Sequence, residues 1–193
     1  MMRSALVLLC TTLPLMAQDQ PLPIAALSGD WNADGNPDAV LLYGRAEGDA
    51  DLVVMLGHDW QGLQPGLHLP GVVFFGGMAG QVPRLESRSP TSFAILSEQT
   101  GIGREPWQMA LTVAFRQGEF RVAGFDYLFY DRLDPTHNGN CSVNLLTGRY
   151  SLTFGPGDEA PEVTREGDAG IRAFALADLG VDFFPDACRA IFE

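Results

Sequence analysis

The chain has 193 residues, enough for one domain with a sizeable core and too few to make two domains the natural reading. Acidic residues outnumber lysine plus arginine by 24 to 12, and the formal net charge is −12. Such a surface repels nucleic acid and anionic lipid, suits cations and basic proteins, and has no lysine for Ser-Lys or Schiff-base chemistry.

The N-terminal stretch "MMRSALVLLCTTLPLMAQ" carries Arg3, an apolar run from Ala5 to Leu9, and the small residue Ala17 before a polar break. That is the form of a secretory signal peptide over residues 1–17, too short for a spanning helix. The alternative is an N-terminal strand or helix of the mature fold. With the signal removed, residues 18–193 form the domain, in the periplasm or outside the cell. Cys10 follows Leu8 and Leu9 rather than small residues, so a lipid-anchored cysteine is not expected. No later run approaches the roughly 20 apolar residues of a transmembrane helix, so no membrane partner is expected after signal removal.

Next comes "GDWNADGNPDAVLLY", residues 29–43. Counting Asp30 as position one, Asp30, Asn32, Asp34 and Asp38 place side-chain oxygens at positions one, three, five and nine. Gly35 stands at position six, where a calcium loop needs a sharp bend, and Asn36 at seven offers a backbone carbonyl. Calcium takes six to eight oxygens, and carboxylates this close repel one another without a cation. Magnesium fits less well, since it keeps its waters and takes few carboxylates. Position twelve is Leu41 rather than the bidentate Glu of an EF-hand, and the residues after Asp38 read as a strand. An Asx-rich turn with no ion is the alternative.

Past residue 38 the apolar pattern has mostly period two. "AVLLY" and "DLVVML" form one pair around the loop 44–49; "GVVFFG" and "SFAILS" are shorter candidates. In "QMALTVAFRQGEFRVAGFDYLFY", Met109, Leu111, Val113 and Phe115 share a face. Gln117-Gly118 makes a two-residue hairpin turn, with glycine supplying a positive φ. The return strand carries Phe120 and Val122, then Phe125, Tyr127 and Phe129. "CSVNLLTGRYSLTF" is a second hairpin, with Gly148 in its turn. "GPGDEAPEVTREGDAG" reads as a long flexible loop, and "IRAFALADLG" and "PDACRAI" as short turns or helices. The expected fold is all-β, a single domain of antiparallel hairpins with short C-terminal helical turns. Propeller-like, sandwich and barrel forms all remain open. Cys141 and Cys188, the pair left after signal removal, are expected to form one disulfide; two buried free thiols are the alternative.

Nothing in the chain composes an active site. His58, in "GHDWQG", and His68, in "GLHLPG", read as residues of Gly-rich loops, and His137, in "DPTHNGN", as a turn residue. There is no Gly-x-Ser-x-Gly elbow. Asp126, Asp131 and Asp134 are candidates for a second metal or a carboxylate pair. Asp131 and Asp134 read better as the polar end of a strand and an Asp-Pro turn. "GGMAG" and "GIG" lack the strand–helix context of a phosphate loop.

The segment "DWNADGNPD" followed by "AVLL" resembles the calcium loop of the FG-GAP/VCBS repeat of propeller-like extracellular proteins. That resemblance covers about 15 residues in one copy and implies calcium. A second, vaguer resemblance rests on "YDRLDPTHNGNCSVNLLTGRY". The segment is similar to periplasmic proteins related to type I lysozyme inhibitors and to immunity proteins against wall-cutting effectors. It implies a basic protein partner such as a lysozyme-like hydrolase, and no inhibitory residues are carried over. The expectation is therefore a non-enzymatic, exported calcium-binding β domain that binds or inhibits such a hydrolase. A structural or adhesion module of the FG-GAP kind and a hydrolase with an acidic dyad are the alternatives.

Overall fold

The computed structural model describes residues 22–45, 48–155 and 161–192. The signal-peptide segment 1–17 lies outside them, as do residues 156–160 of the expected flexible loop.

The described chain is two antiparallel sheets. The first contains β1 (Leu22–Gly29), β2 (Asp38–Gly44), β3 (Ala50–His58) and β4 (Gly62–Val73), in that spatial order. The second is a meander of β5 (Arg84–Ser89), β6 (Ser92–Gln99), β7 (Trp107–Arg116), β8 (Glu119–Tyr130), β9 (Asn138–Asn144), β10 (Arg149–Phe154) and β11 (Val163–Asp168). A short β12 (Phe174–Ala175) pairs with Val122 and Arg121 of β8. Two 3-10 turns follow, Leu176–Asp178 and Asp186–Phe192. The all-β expectation holds, and no barrel closure joins the sheets among the described residues.

Alternation explains why the sheets share one core. Val40 and Leu42 of β2 and Leu52 and Val54 of β3 are fully buried, as is Phe93 of β6 and Phe125 of β8. Leu111 and Val113 of β7 join them in one cluster drawn from both sheets. Each such side chain contributes about 1.5–3 kcal/mol on leaving water, which is how a chain with little helix becomes stable. Cys141 and Cys188 are disulfide-bonded, with Cα atoms 5.5 Å apart. The bridge ties the last 3-10 turn to β9.

The β7–β8 hairpin turns at Gln117-Gly118 as read, but Gln117 also has a positive φ of 56°, beside 84° at Gly118. Both central residues are left-handed, the turn whose twist matches the strands. The change of parity between Val122 and Phe125 is a β-bulge: Thr112 faces Gly124 while Val113 faces Val122, leaving Ala123 extra. The Ala123 carbonyl accepts the Leu145 N–H at 3.0 Å instead.

Three readings are corrected. "GVVFFG" is only the end of β4, which starts at Gly62 and runs through Pro65 and Pro70. β4 is an edge strand with register shifts, where a missing N–H costs no ladder bond. Consequently His58 ends β3 and His68 lies within β4, not in Gly-rich loops. Val163–Asp168, read as flexible loop, is edge strand β11, paired from Arg149↔Asp168 to Phe154↔Val163.

Candidate metal centre

The β1–β2 connection, residues 30–37, holds Asp30, Asn32, Asp34 and Asn36 in one largely exposed loop, while Asp38 lies just past it, buried at the start of β2, and the three carboxylates do not form one cluster. Two residues there have positive φ, Ala33 at 60° and Gly35 at 92°. Glycine takes such a value without a Cβ penalty, so position six carries the bend as expected. The bends turn the oxygens of Asp30, Asn32 and Asp34 toward the loop's own amides. Asp30 accepts the N–H of Asp34 through Oδ1 at 3.0 Å and of Gly35 through Oδ2 at 3.0 Å. The Asn32 Oδ1 accepts the Asp34 N–H at 3.1 Å. Asp34 accepts the Asn36 N–H at 2.8 Å and the Asn32 amide at 2.8 Å. The Asn36 N–H, and after it the Asn32 amide, hold the Asp34 carboxyl below its usual range, so it is charged at neutral pH.

Asp38 is different. It begins β2 and is fully buried. Its Oδ2 accepts the N–H groups of Trp31 at 2.9 Å and Asn32 at 3.3 Å, and its Oδ1 accepts that of Gly57 at 2.9 Å. One carboxylate thus anchors both ends of the loop and ties it to β3. Oδ2 already serves two donors, and Oδ1 is the atom with a lone pair to spare. Gly57 permits this approach, since a Cβ there would lie 2.4 Å from the Pro37 carbonyl oxygen.

Trp31 roots the loop in the core. It is 2% exposed, its ring centroid 5.5 Å from that of Phe93. Its indole N–H is buried without a partner among the described residues. Hydrophobic burial must outweigh that orphaned donor, which costs about 1–3 kcal/mol. The set Asp30, Asn32, Asp34, Asn36 and Asp38 is all hard oxygen, the chemistry calcium prefers. What spacing did not reveal is that Asp38 is engaged by the backbone of a strand 19 residues away.

A second group includes Asp131, a candidate for a second metal from the sequence, but with Glu105 and His137 in place of Asp126 and Asp134. Ligand atoms of Glu105, Asp131 and His137 lie within 4.8 Å of one another. His137 Nδ1 is 3.5 Å from Glu105 and 3.8 Å from Asp131. However, the Arg104 Nε donates to both oxygens of Asp131, at 2.9 and 2.7 Å. The N–H groups of Leu133 and Asp134 donate to its Oδ1, at 2.8 and 3.2 Å. The Arg104 guanidinium, above all, holds the Asp131 carboxyl far below the ordinary carboxylate range. A cation here would have to displace a paired guanidinium, so the arrangement acts as a clasp on the β8–β9 loop. Asp134 accepts the Thr136 N–H and hydroxyl, an Asp-Pro turn. Asp126 stands apart on the outer sheet face, accepting the Ser142 hydroxyl at 2.6 Å.

No family model, curated protein or solved structure matches the chain.

Proposed function

We propose that this protein is an exported, non-enzymatic β domain that binds calcium through the loop 30–38, and that its acidic surface engages a basic protein such as a lysozyme-like wall hydrolase. The observation that carries the reading is the loop itself. Asp30, Asn32 and Asp34 cluster on an exposed bend at Gly35, anchored from below by Asp38 and Trp31. Asp30, Asn32 and Asp34 supply side-chain oxygens, Asn36 its carbonyl, and Asp38 its carboxylate, with water completing the shell. The FG-GAP/VCBS-like spacing supports the same ion. Export is supported by the disulfide and by the form of residues 1–17. Among the described residues no helix is long and apolar enough to cross a membrane. The non-enzymatic part is supported by Asp131, one of the acidic-dyad candidates, being fixed on Arg104. The net charge of −12 supports a basic partner, steered by long-range attraction.

Without a position-twelve Glu, the expected dissociation constant is about 10⁻⁴–10⁻³ M. At ten times that concentration calcium adds about 1.4 kcal/mol to stability, a rise in melting temperature of about 3–6 °C for a domain of this size. Identical melting curves in calcium and in chelator, with no heat in calorimetry, would reduce the loop to a plain turn. For the partner, inhibition of several lysozyme classes at low and moderate salt is the assay. No inhibition of any class at micromolar protein would refute that part alone.

A further inference from the structure

A cleft of about 570 Å³ opens where the tail of β4, the strands β7 and β8, and the C-terminal segment meet. That volume lies within the range of small-molecule sites. Its walls are largely aromatic. Phe74 meets Trp107 in a T-shaped pair at 5.0 Å, and Trp107 lies within 19° of parallel to Tyr127 at 6.1 Å. Phe184 and Phe192 make T-shaped pairs with Tyr127 at 5.1 and 5.9 Å. Phe192 stays 47% exposed although apolar neighbours surround it. Cys188, next to Arg189 of the same wall, is bonded to Cys141 of β9, so the C-terminal wall is stapled in place.

The charges at this cleft are not balanced. Asp49 and Asp182 line it, and neither has an arginine partner among the described residues, although the Asp49 Oδ1 accepts the Phe75 N–H at 3.3 Å. Arg189 also lines it, but its Nε donates to Asp186 at 3.1 Å and its guanidinium stands 6.0 Å from the Phe184 ring centroid. The lining thus carries two carboxylates against this one guanidinium.

We propose that this cleft binds a small organic cation with a methylated ammonium head. Aromatic faces carry negative quadrupoles and attract such heads, which shed water more easily than a bare ammonium. Asp49 and Asp182 supply the counter-charge, and the acidic surface draws cations toward the opening. An anion would meet two carboxylates instead. A neutral apolar ligand would fill the rings but leave that field unanswered. The site is separate from the loop at residues 30–38, and binding does not depend on calcium.

Calorimetry on the oxidised protein tests this with benzyltrimethylammonium as the probe, in chelator. Choline and its uncharged isostere 3,3-dimethylbutan-1-ol give the charge contrast on one shape. Both cations should bind saturably, with choline about tenfold tighter than the isostere. Trp107→Ala should weaken the probe by about tenfold or more. Because that variant removes packing, the pair Asp49→Asn with Asp182→Asn, which keeps an oxygen to accept the Phe75 N–H, serves beside it. It should weaken both cations by about fivefold, spare the isostere and leave the melting temperature within a few degrees. Absence of heat from either cation up to about 10 mM overturns the proposal. So does an isostere that binds as well as choline, which would mark a merely hydrophobic cleft. Unchanged affinity in the double amide variant overturns it as well.

Discussion

Removing the Asp38 carboxylate tests how the calcium-loop candidate is held. The side chain is fully buried and serves three backbone donors, at 2.9 Å from Trp31, 3.3 Å from Asn32 and 2.9 Å from Gly57. Asp38→Ala strands all three. A hydrogen bond to a charged acceptor contributes about 1.5–3 kcal/mol, and a stranded buried donor costs about 1–3 kcal/mol. The Trp31 and Gly57 bonds are buried, while the Asn32 bond is longer and partly exposed. Relief from holding a charge in the interior offsets part of the loss. The net destabilisation is therefore about 3–4 kcal/mol, or a melting temperature lower by about 10 °C. Urea unfolding in chelator, followed by tryptophan emission, measures it. Asp34→Ala is the comparison, because its bonds lie on the exposed part of the loop and should cost about 1 kcal/mol. Gly57→Ala, whose Cβ would press on the Pro37 carbonyl, attacks the same tether. The double variant Asp38→Ala with Gly57→Ala should lose less than the sum of the two. If Asp38→Ala costs no more than Asp34→Ala in chelator, the buried tether is not what holds the loop.

Calcium should raise the melting temperature of the wild type and leave Asp34→Ala nearly unmoved, whereas Asp59→Ala, outside the loop, should respond as the wild type does; equal responses in all three proteins contradict the ligand set. Breaking the Cys141–Cys188 bridge by Cys141→Ser with Cys188→Ser should cost up to about 4 kcal/mol, and a reduced wild type should melt with the double variant; alkylation of two thiols in the unreduced protein, read by mass spectrometry, would disprove the pairing. The Asp131 carboxyl has a folded pKa below its unfolded value, so its contribution is complete above the unfolded pKa of about 3.9 and is lost as pH falls further toward the folded value. Wild-type stability should accordingly drop steeply in acid, and Asp131→Asn should lower stability at neutral pH while flattening that acid limb; parallel curves for the two proteins would show that the Arg104 clasp contributes nothing.

What could be read from the sequence is what is set by neighbours in the chain. Alternation in Met109–Phe115 fixed a strand face, because side chains two apart must point the same way. Gln117-Gly118 marked its own turn, and the spacing of Asp30, Asn32, Asp34 and Gly35 marked a bend lined with oxygen. An even cysteine pair was enough to expect the bridge that links Cys141 to Cys188. Tertiary structure decided the rest. Pro65 and Pro70 look like loop residues until β4 is seen to be an edge strand, where their missing donors face no partner. That Asp38 also ties the loop to β3 shows only when Gly57, 19 residues away, is found donating to it. Asp131 reads as a strand end until Arg104, 27 residues earlier, closes on both its oxygens. The aromatic cleft joins Phe74, just past β4, with rings from β7, β8 and the C-terminal segment. Contacts of this kind leave no periodic trace, because their geometry is set by how whole strands pack and not by the spacing of residues along any one of them.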